Sequence, residues 1–391
     1  MLEALAPYGA TADAVISLDG DLEPRARLAY GDLLRLPHPP CAVLRHDDAP
    51  LAYVLTGPVP PARVLQMRRL LAQRDEAPFL VILERGRLSI YAIDLDRRSA
   101  AEALIAAIEA HEDRASATLR RLHDELPQRT LAIHDLVHAL VTNAIEGLHG
   151  IYGIPRGDAI ALAGRALFMR FLVDRGVLNH HAVAHVCPPA ADWTDLFATI
   201  DHLRATCHWI DRTFNGDFLS IPSLDDEKTF AELPAAAFGL LNAIMLRKAR
   251  PVTGWEQLEF DLPPPEGWAE LDFAQIPVGV LSQVYEYQVQ RWSPTRKRGE
   301  SVYYTPRTIA GYMVREAFDR LERQRGAPPH DIRVLDPAVG GGVFLVSAYR
   351  ELCVAWYHEH GRWPRSKELR TSSIRSSPAS TSSPTLSASL R

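Results

Sequence analysis

The segment "VLDPAVGGGVFL", residues 334–345, has the residue types and spacing of a ligand-binding loop. A strand-like apolar run ends in Asp336, and three consecutive glycines then lead into an apolar helical pattern. Glycines allow close backbone approach to a ligand, and the N–H groups at a helix N-terminus favour negative or polar groups. A strand, an acid, a glycine turn and a helix together indicate the first unit of a Rossmann-like sheet.

Three ligands fit a loop of this general kind, and the sequence separates them. A phosphate-binding P-loop requires Gly-Lys-Ser/Thr, which does not follow Gly342. A dinucleotide fingerprint requires a third glycine where Leu345 stands, which argues against NAD or FAD. S-adenosylmethionine remains as the candidate ligand. The alternative without a ligand is a tight turn where a helix and a strand pack closely.

Residues 336–345 resemble motif I of amino-group DNA methyltransferases, D-P-A-x-G-x-G-x-F. Upstream, "GESVYYTPRTIAGYMV" (299–314) is similar to the G-x-Y-Y-T-P element that precedes motif I in N6-adenine DNA methylases. Two independent motifs in the family's order make coincidence improbable. The segments 164–178, 214–219 and 280–289 are more loosely similar to the large restriction–modification and phage-defence methylases.

This resemblance implies a function and a set of residues. The implied reaction is transfer of a methyl group from S-adenosylmethionine to adenine N6 in double-stranded DNA, as part of a restriction–modification or phage-defence system with its other subunits. The cofactor-binding residues implied by the two motifs are Tyr304, Thr305, Pro306, Asp336, Pro337, Ala338, Gly340, Gly342 and Phe344.

Two features of such methylases are not visible in the sequence. The Asn/Asp-Pro-Pro-Tyr/Phe motif that holds the flipped adenine does not occur, so no catalytic residue is assigned. A second strand ending in an acid, which would bind the ribose, does not follow residue 345. We therefore expect a chain that is truncated or frameshifted within the methylase domain and inactive by itself. Read in another frame, one back-translation of the Ser-rich tail resembles the continuation of a methylase.

Two other functions stay open at this point. The first is a non-catalytic DNA- or partner-binding fragment with a vestigial cofactor loop. The second is a methyltransferase that acts on RNA or protein, which fits motif I but not the Tyr-Thr-Pro element.

The elements around these motifs predict an α/β and α architecture in four segments. Residues 1–124 form a small α/β module of unknown role, with hairpins at 41–55 and 79–95 and a helix starting near Pro61. Residues 125–298 are mainly helical. Residues 299–365 begin the Rossmann-like methyltransferase domain, and 366–391 are expected to be disordered because Ser, Thr, Pro and Ala dominate them.

Helical spacing predicts which residues of this region are buried. In 160–178 the buried side is predicted to carry Leu162, Ala166, Met169, Leu172 and Val173, with the arginines mostly elsewhere and Gly176 ending the helix. After Thr305-Pro306, the predicted buried stripe is Ala310, Val314, Ala317 and Leu321. Residues 332–337 are predicted as a buried strand, and 343–361 as a helix that ends at Gly361.

Composition and charge limit which binding partners and which cellular compartment fit the sequence. The net charge of −5 excludes an extensively basic surface, but Arg296, Lys297 and Arg298 lie in a local basic strip that is a candidate for DNA contact. Four separated cysteines favour a reducing cytoplasm, and no apolar run is long enough for a membrane span.

Two further sites are weighed and not assigned. His181, His185 and Cys187 have spacing compatible with zinc, but a local ligand-rich loop is commoner, so no metal is predicted. A nuclease in the N-terminal module is not expected, because no lysine precedes Lys228.

Overall fold

The computed structural model divides the chain into two compact units, Met1–Ile133 and His134–Arg391. The structure describes residues 1–391 except 9, 47–48, 96–98, 110–120, 122–123, 125–132, 215–218, 220, 222–229, 231–232, 247–270, 278, 281–304, 306, 327–331, 337–341, 366–367, 369–373 and 377–391. Of the described helices, none is both long and apolar enough to cross a membrane.

The first unit is built on a six-stranded sheet in the order β1 to β6. Its strands are β1 (Val15–Ser17), β2 (Ala42–His46), β3 (Ala49–Thr56), β4 (Phe79–Glu84), β5 (Arg87–Ala92) and β6 (Leu104–Glu109). The β2–β3 and β4–β5 pairs are antiparallel, which confirms both predicted hairpins. The central pair β3–β4 is parallel and is connected through a helix.

Helices cover the sheet of the first unit. They are α1 (Leu2–Leu5), α2 (Pro24–Tyr30), α3 (Pro61–Ala72) and α4 (Ala100–Ala103). Helix α3 begins at Pro61 as predicted, and its apolar side joins one core cluster with Tyr53, Leu80 and Ile82. The opposite face of the sheet forms a second cluster that includes Leu5 from α1. Burial on both faces explains why β3 and β4 are almost continuously apolar.

The second unit begins with helices. They are α5 (Ile133–Glu146), α6 (Arg156–Asp174), α7 (Val183–Val186), α8 (Ile200–Thr213) and α9 (Ala235–Met245). Helix α6 packs against α9, and the predicted buried residues Leu162, Ala166, Met169 and Leu172 are buried. Gly176 has φ +67° just beyond the end of α6, as the prediction of a terminal glycine requires.

The prediction that the arginines of α6 lie mostly outside the core is wrong for Arg165. Its side chain is fully buried and donates to both carboxylate oxygens of Asp211, at 2.5 and 3.2 Å. It also donates to the carbonyls of Leu219 and Cys207. A guanidinium in the core is tolerated here because its donors are satisfied by a carboxylate and by backbone oxygens.

The last described elements are α10 (Arg307–Arg325), β7 (Val334–Asp336), α11 (Val343–His360) and β8 (Ile374–Ser376). Strands β7 and β8 are parallel, with Val334 beside Ile374 and Asp336 beside Ser376. Helix α11 ends at Gly361 in a left-handed conformation, as predicted. Strand β8 lies within 366–391, so the prediction of disorder is wrong for these three residues, which pair with a strand distant in sequence.

Two burial predictions in this region are wrong. Ala317 is exposed, and Phe318 is buried in its place, because the apolar contact with Ala348 and Leu352 of α11 lies on the side of Phe318. Strand β7 is not buried, since Leu335 is 65% exposed. Alternation along the strand sends Val334 to the small cluster on the helices and Leu335 to the opposite face.

Candidate functional site

The candidate site lies where β7 ends and α11 begins. Asp336 is the last residue of β7, and residues 337–341, which include the predicted Pro337, Ala338 and Gly340, lie outside the described residues. The Oδ2 atom of Asp336 is shielded from solvent. Ligands of open α/β sheets bind beyond the carboxyl ends of parallel strands, which is the position that Asp336 occupies.

Gly342 closes the loop and is the N-cap residue of α11. It has φ +78° and ψ +14°, a left-handed conformation that a side chain would strain. Among the described residues, a Cβ atom placed there would meet nothing within 4 Å. Glycine is therefore required for the conformation and not by a packing contact.

The first turn of α11 presents peptide donors at the site. No side chain caps this terminus in the part of the chain that the structure describes, and the first bond within the helix runs from Val346 N to the Gly342 carbonyl at 2.9 Å. The N–H groups of Val343, Phe344 and Leu345 consequently have no partner inside the helix. Phe344 is half-buried and Leu345 is buried, which fixes the start of this helix.

The N-terminal end of α10 holds the second predicted element. Thr305 is half-buried and lies two residues before the first helical residue, Arg307. Tyr304 and Pro306, which were predicted to close over the cofactor together with Thr305, are outside the described residues, and so are Arg296, Lys297 and Arg298. Helix α10 packs against α11, so both elements of the predicted site belong to one helical pair.

These residues fit a ligand such as S-adenosylmethionine at the level of backbone geometry. An acid at a strand end, an open left-handed glycine and the free donors of a helix terminus would suit its amino-acid and ribose groups. The ribose-binding acid of a second strand is not supplied by β8, which ends in Ser376.

The metal spacing noted in the sequence does not assemble into a site. No group of three His, Cys, Asp or Glu side chains able to hold a metal occurs among the described residues. Cys187 is buried and its thiol donates to the His202 carbonyl at 3.6 Å. Burial raises the pKa of this thiol.

Sequence reasoning missed a set of contacts behind α10. Gly279 lies against the Arg307 side chain so closely that a Cβ atom there would be 2.7 Å from Arg307 Cδ. The charged end of α6 also binds the backbone of residues 271–277. No local pattern signals such contacts, although the charged residues Arg170, Asp174 and Arg175 at the C-terminal end of α6 were visible in the sequence.

Comparison with known proteins gives a family match for one segment of the chain. Residues 278–361 match the family model described as N-6 DNA Methylase. This segment contains both motifs, so the predicted resemblance to N-6 DNA methylases is confirmed for it at this coarse level. The match covers less than half of the 391 residues.

Curated proteins and solved structures add no family assignment. No curated protein matches the sequence. A solved structure described as "cryoEM structure DrdV-DNA complex" aligns with 85% of this chain and 33% of its own, at 12% identity and a TM-score of 0.30. This chain thus spans about a third of that one, and an alignment of this quality adds nothing to the family match.

Proposed function

We propose that the protein provides the cofactor-binding start of a DNA methyltransferase that uses S-adenosylmethionine and acts on adenine N6. One observation carries the proposal. Within the segment similar to N-6 DNA methylases, an acid ends a parallel strand and a left-handed glycine opens an uncapped helix. That arrangement offers one carboxylate and several peptide donors to a polar ligand.

Each described residue has a separate role in this proposal. Asp336 accepts hydrogen bonds from the ligand, and Gly342 keeps the backbone free of a side chain so that the ligand can approach. Phe344, which is half-buried in the first turn of α11, would line the ligand, and Thr305, just before α10, would lie over it. Tyr304, Pro306, Pro337, Ala338 and Gly340 remain assigned from the resemblance alone.

Bound at this site, S-adenosylmethionine would supply the activated methyl group, and the adenine amine would be the acceptor. The chain's own residues bind and orient the cofactor. No Asn/Asp-Pro-Pro-Tyr/Phe tetrapeptide occurs in the sequence, so we propose that this chain does not hold the target base by itself. The proposed partners are double-stranded DNA and subunits of a restriction or phage-defence system.

Equilibrium dialysis with radiolabelled S-adenosylmethionine tests the cofactor assignment. We expect saturable binding that unlabelled S-adenosylhomocysteine displaces and NAD does not. Replacing Asp336 with Ala should weaken binding at least about tenfold, equivalent to ~1.4 kcal/mol. The matched control is Glu359→Gln, which changes an exposed acid at the far end of α11 and should leave binding unchanged.

Two results would overturn the proposal. The first is absence of saturable binding to the unaltered protein, and the second is equal affinity of the Asp336→Ala variant. A parallel assay of tritium transfer to adenine-containing duplex DNA should give no product with this chain alone. Transfer in that assay would contradict the statement that the chain does not hold its target base.

A further inference from the structure

Charged side chains at the C-terminal end of α6 bind backbone groups, including those of residues 271–277, which lie just before the methylase-like region. We call Arg170, Asp174 and Arg175 the α6 clamp. Asp174 Oδ2 accepts the Phe273 N–H at 3.1 Å, and Arg175 donates to the Ile276 carbonyl at 2.8 Å. Phe273 and Ile276 are both 0% exposed. The two charged side chains therefore bind backbone groups of two buried residues.

Arg170 completes this clamp. It pairs with Asp174 one turn away in α6 and donates to the Met245 carbonyl at the end of α9, at 3.1 Å. The Asp174 side chain is only 2% exposed, so its carboxylate is satisfied by the Arg170 guanidinium and the Phe273 amide rather than by water. Removal of either partner would leave a buried polar group without its bond.

The same stretch of chain also contacts the start of α10. The Val280 N–H donates to the Pro277 carbonyl, and Val280 is buried. Between them, Gly279 packs against the aliphatic part of Arg307, with distances of 2.7, 3.4 and 3.5 Å from an added Cβ to Cδ, Nε and Cγ. Arg307 is the first residue of α10 and lies two residues beyond Thr305.

We propose that Asp174 and Arg175 are positioning residues that hold residues 271–280 so that Gly279 supports Arg307 and fixes the N-terminal end of α10 at the cofactor site. The end of α6, in the helical region, would then determine where Thr305 lies in the methylase-like region. This inference rests on the proposed function for its ligand, but its physical coupling does not depend on that ligand.

The experiment compares two carboxylates that each pair with an arginine of α6. Asp174→Asn weakens the clamp. Asp211→Asn is the matched control, because Asp211 pairs with the buried Arg165 of the same helix but binds no residue of 271–280. Both variants should lower the melting temperature. Only Asp174→Asn should weaken S-adenosylmethionine binding in the dialysis assay, by about tenfold or more.

Hydrogen–deuterium exchange gives a second measurement that needs no ligand. Asp174→Asn should increase exchange in residues 271–277 and in the first turn of α10, and Asp211→Asn should not. Unchanged exchange in the first turn of α10 overturns the inference. If the unaltered protein binds no S-adenosylmethionine while this exchange pattern is seen, the proposed function fails and the coupling stands.

A double variant tests the Gly279 contact directly. Gly279→Ala should weaken cofactor binding because the new methyl group displaces Arg307. Arg307→Ala removes the same contact from its other side, so we expect the double variant to bind no more weakly than the weaker of the two single variants. Additive losses in the double variant would contradict the inference, since they would mean that the two positions act independently.

Discussion

The protein contains two β-α-β motifs with parallel strands, one in each compact unit. The two motifs differ in the residues of the turn that follows the first strand. In the first compact unit of the chain, β3 ends at Thr56, Gly57 and Pro58 follow it, and α3 begins with Pro61. In the second, β7 ends in Asp336, and α11 begins after the left-handed Gly342. Both turns contain a glycine with positive φ, +81° at Gly57 and +78° at Gly342.

In the first turn, one backbone donor is used within the protein and another is missing. The Gly57 N–H donates to the Leu83 carbonyl, and Pro61 has no N–H to offer at the first position of its helix. The second turn has an acid, and α11 begins with three residues that all keep their N–H groups. The two turns therefore share one backbone scaffold and differ in the polar groups that the residues after the strand offer.

The strands of these two β-α-β motifs also differ in burial, and this gives the largest expected effect. Phe79 in β4 is 0% exposed, whereas Leu335 in β7 is 65% exposed. Phe79→Ala should lower the free energy of unfolding by about 3–5 kcal/mol. Leu335→Ala should change it by less than about 0.5 kcal/mol. Urea unfolding followed by circular dichroism measures both, and an equally large loss at Leu335 would mean that its face is covered.

The next largest loss of stability is expected in the segments that connect each helix to the second strand of its β-α-β motif. Arg74, between α3 and β4, is 4% exposed and pairs with Glu76 and Asp32 at 2.9 and 2.5 Å. Glu76 also accepts from the Tyr53 hydroxyl, whose pKa is raised by burial and by that carboxylate. Arg74→Met would remove the charged partner of Glu76 and Asp32 and should cost about 2–3 kcal/mol.

Arg362, between α11 and β8, is the matched position in the second unit. Its side chain is 43% exposed and pairs with Glu368. Arg362→Met should shift the urea midpoint much less than Arg74→Met does, because water can replace the lost partner. Similar shifts for the two variants would show that exposure does not distinguish the two return segments.

The matched glycines separate stability from binding. Neither Gly57 nor Gly342 has an atom within 4 Å of an added Cβ, so alanine at each position costs backbone strain alone. Both variants should therefore lose a similar amount of stability, about 1–2 kcal/mol. Only Gly342→Ala should reduce S-adenosylmethionine binding, as measured by dialysis. Reduced binding in Gly57→Ala would break the comparison, since it would link the first turn to the site.

Features that depend on a few neighbouring residues were predictable from the sequence. The two hairpins, the start of α3 at Pro61 and the glycine ends of α6 and α11 follow from local steric preferences. The acid and glycine of the candidate site were found in the same way, because a binding turn needs them close together in the chain.

Features that depend on distant partners were not predictable. Arg165 is buried because Asp211 and two carbonyls lie around it, and β8 exists because β7 lies beside it. Phe318 replaces Ala317 in the core because of where α11 packs. The α6 clamp was missed for the same reason, since Asp174 and Phe273 are far apart in the sequence and meet only in the fold.

The smallest expected effect is a pH dependence confined to the second unit. Bidentate hydrogen bonds from Arg362, at 2.6 and 2.8 Å, and a bond from the Arg365 N–H lower the pKa of Glu368 from 4.5 to about 2. A carboxyl with a lowered pKa in the folded state stabilises that state above its unfolded pKa. This contribution should fade as the pH falls from 4.5 towards about 2.

Urea unfolding of the unaltered protein and of Glu368→Gln at a series of pH values measures this contribution. The difference in midpoint between them should be greatest above pH 4.5 and should shrink below it. Arg362→Met should abolish the pH dependence of that difference, because it removes the main cause of the lowered pKa. A difference that stays constant through this range would mean that Glu368 is not paired in the folded protein.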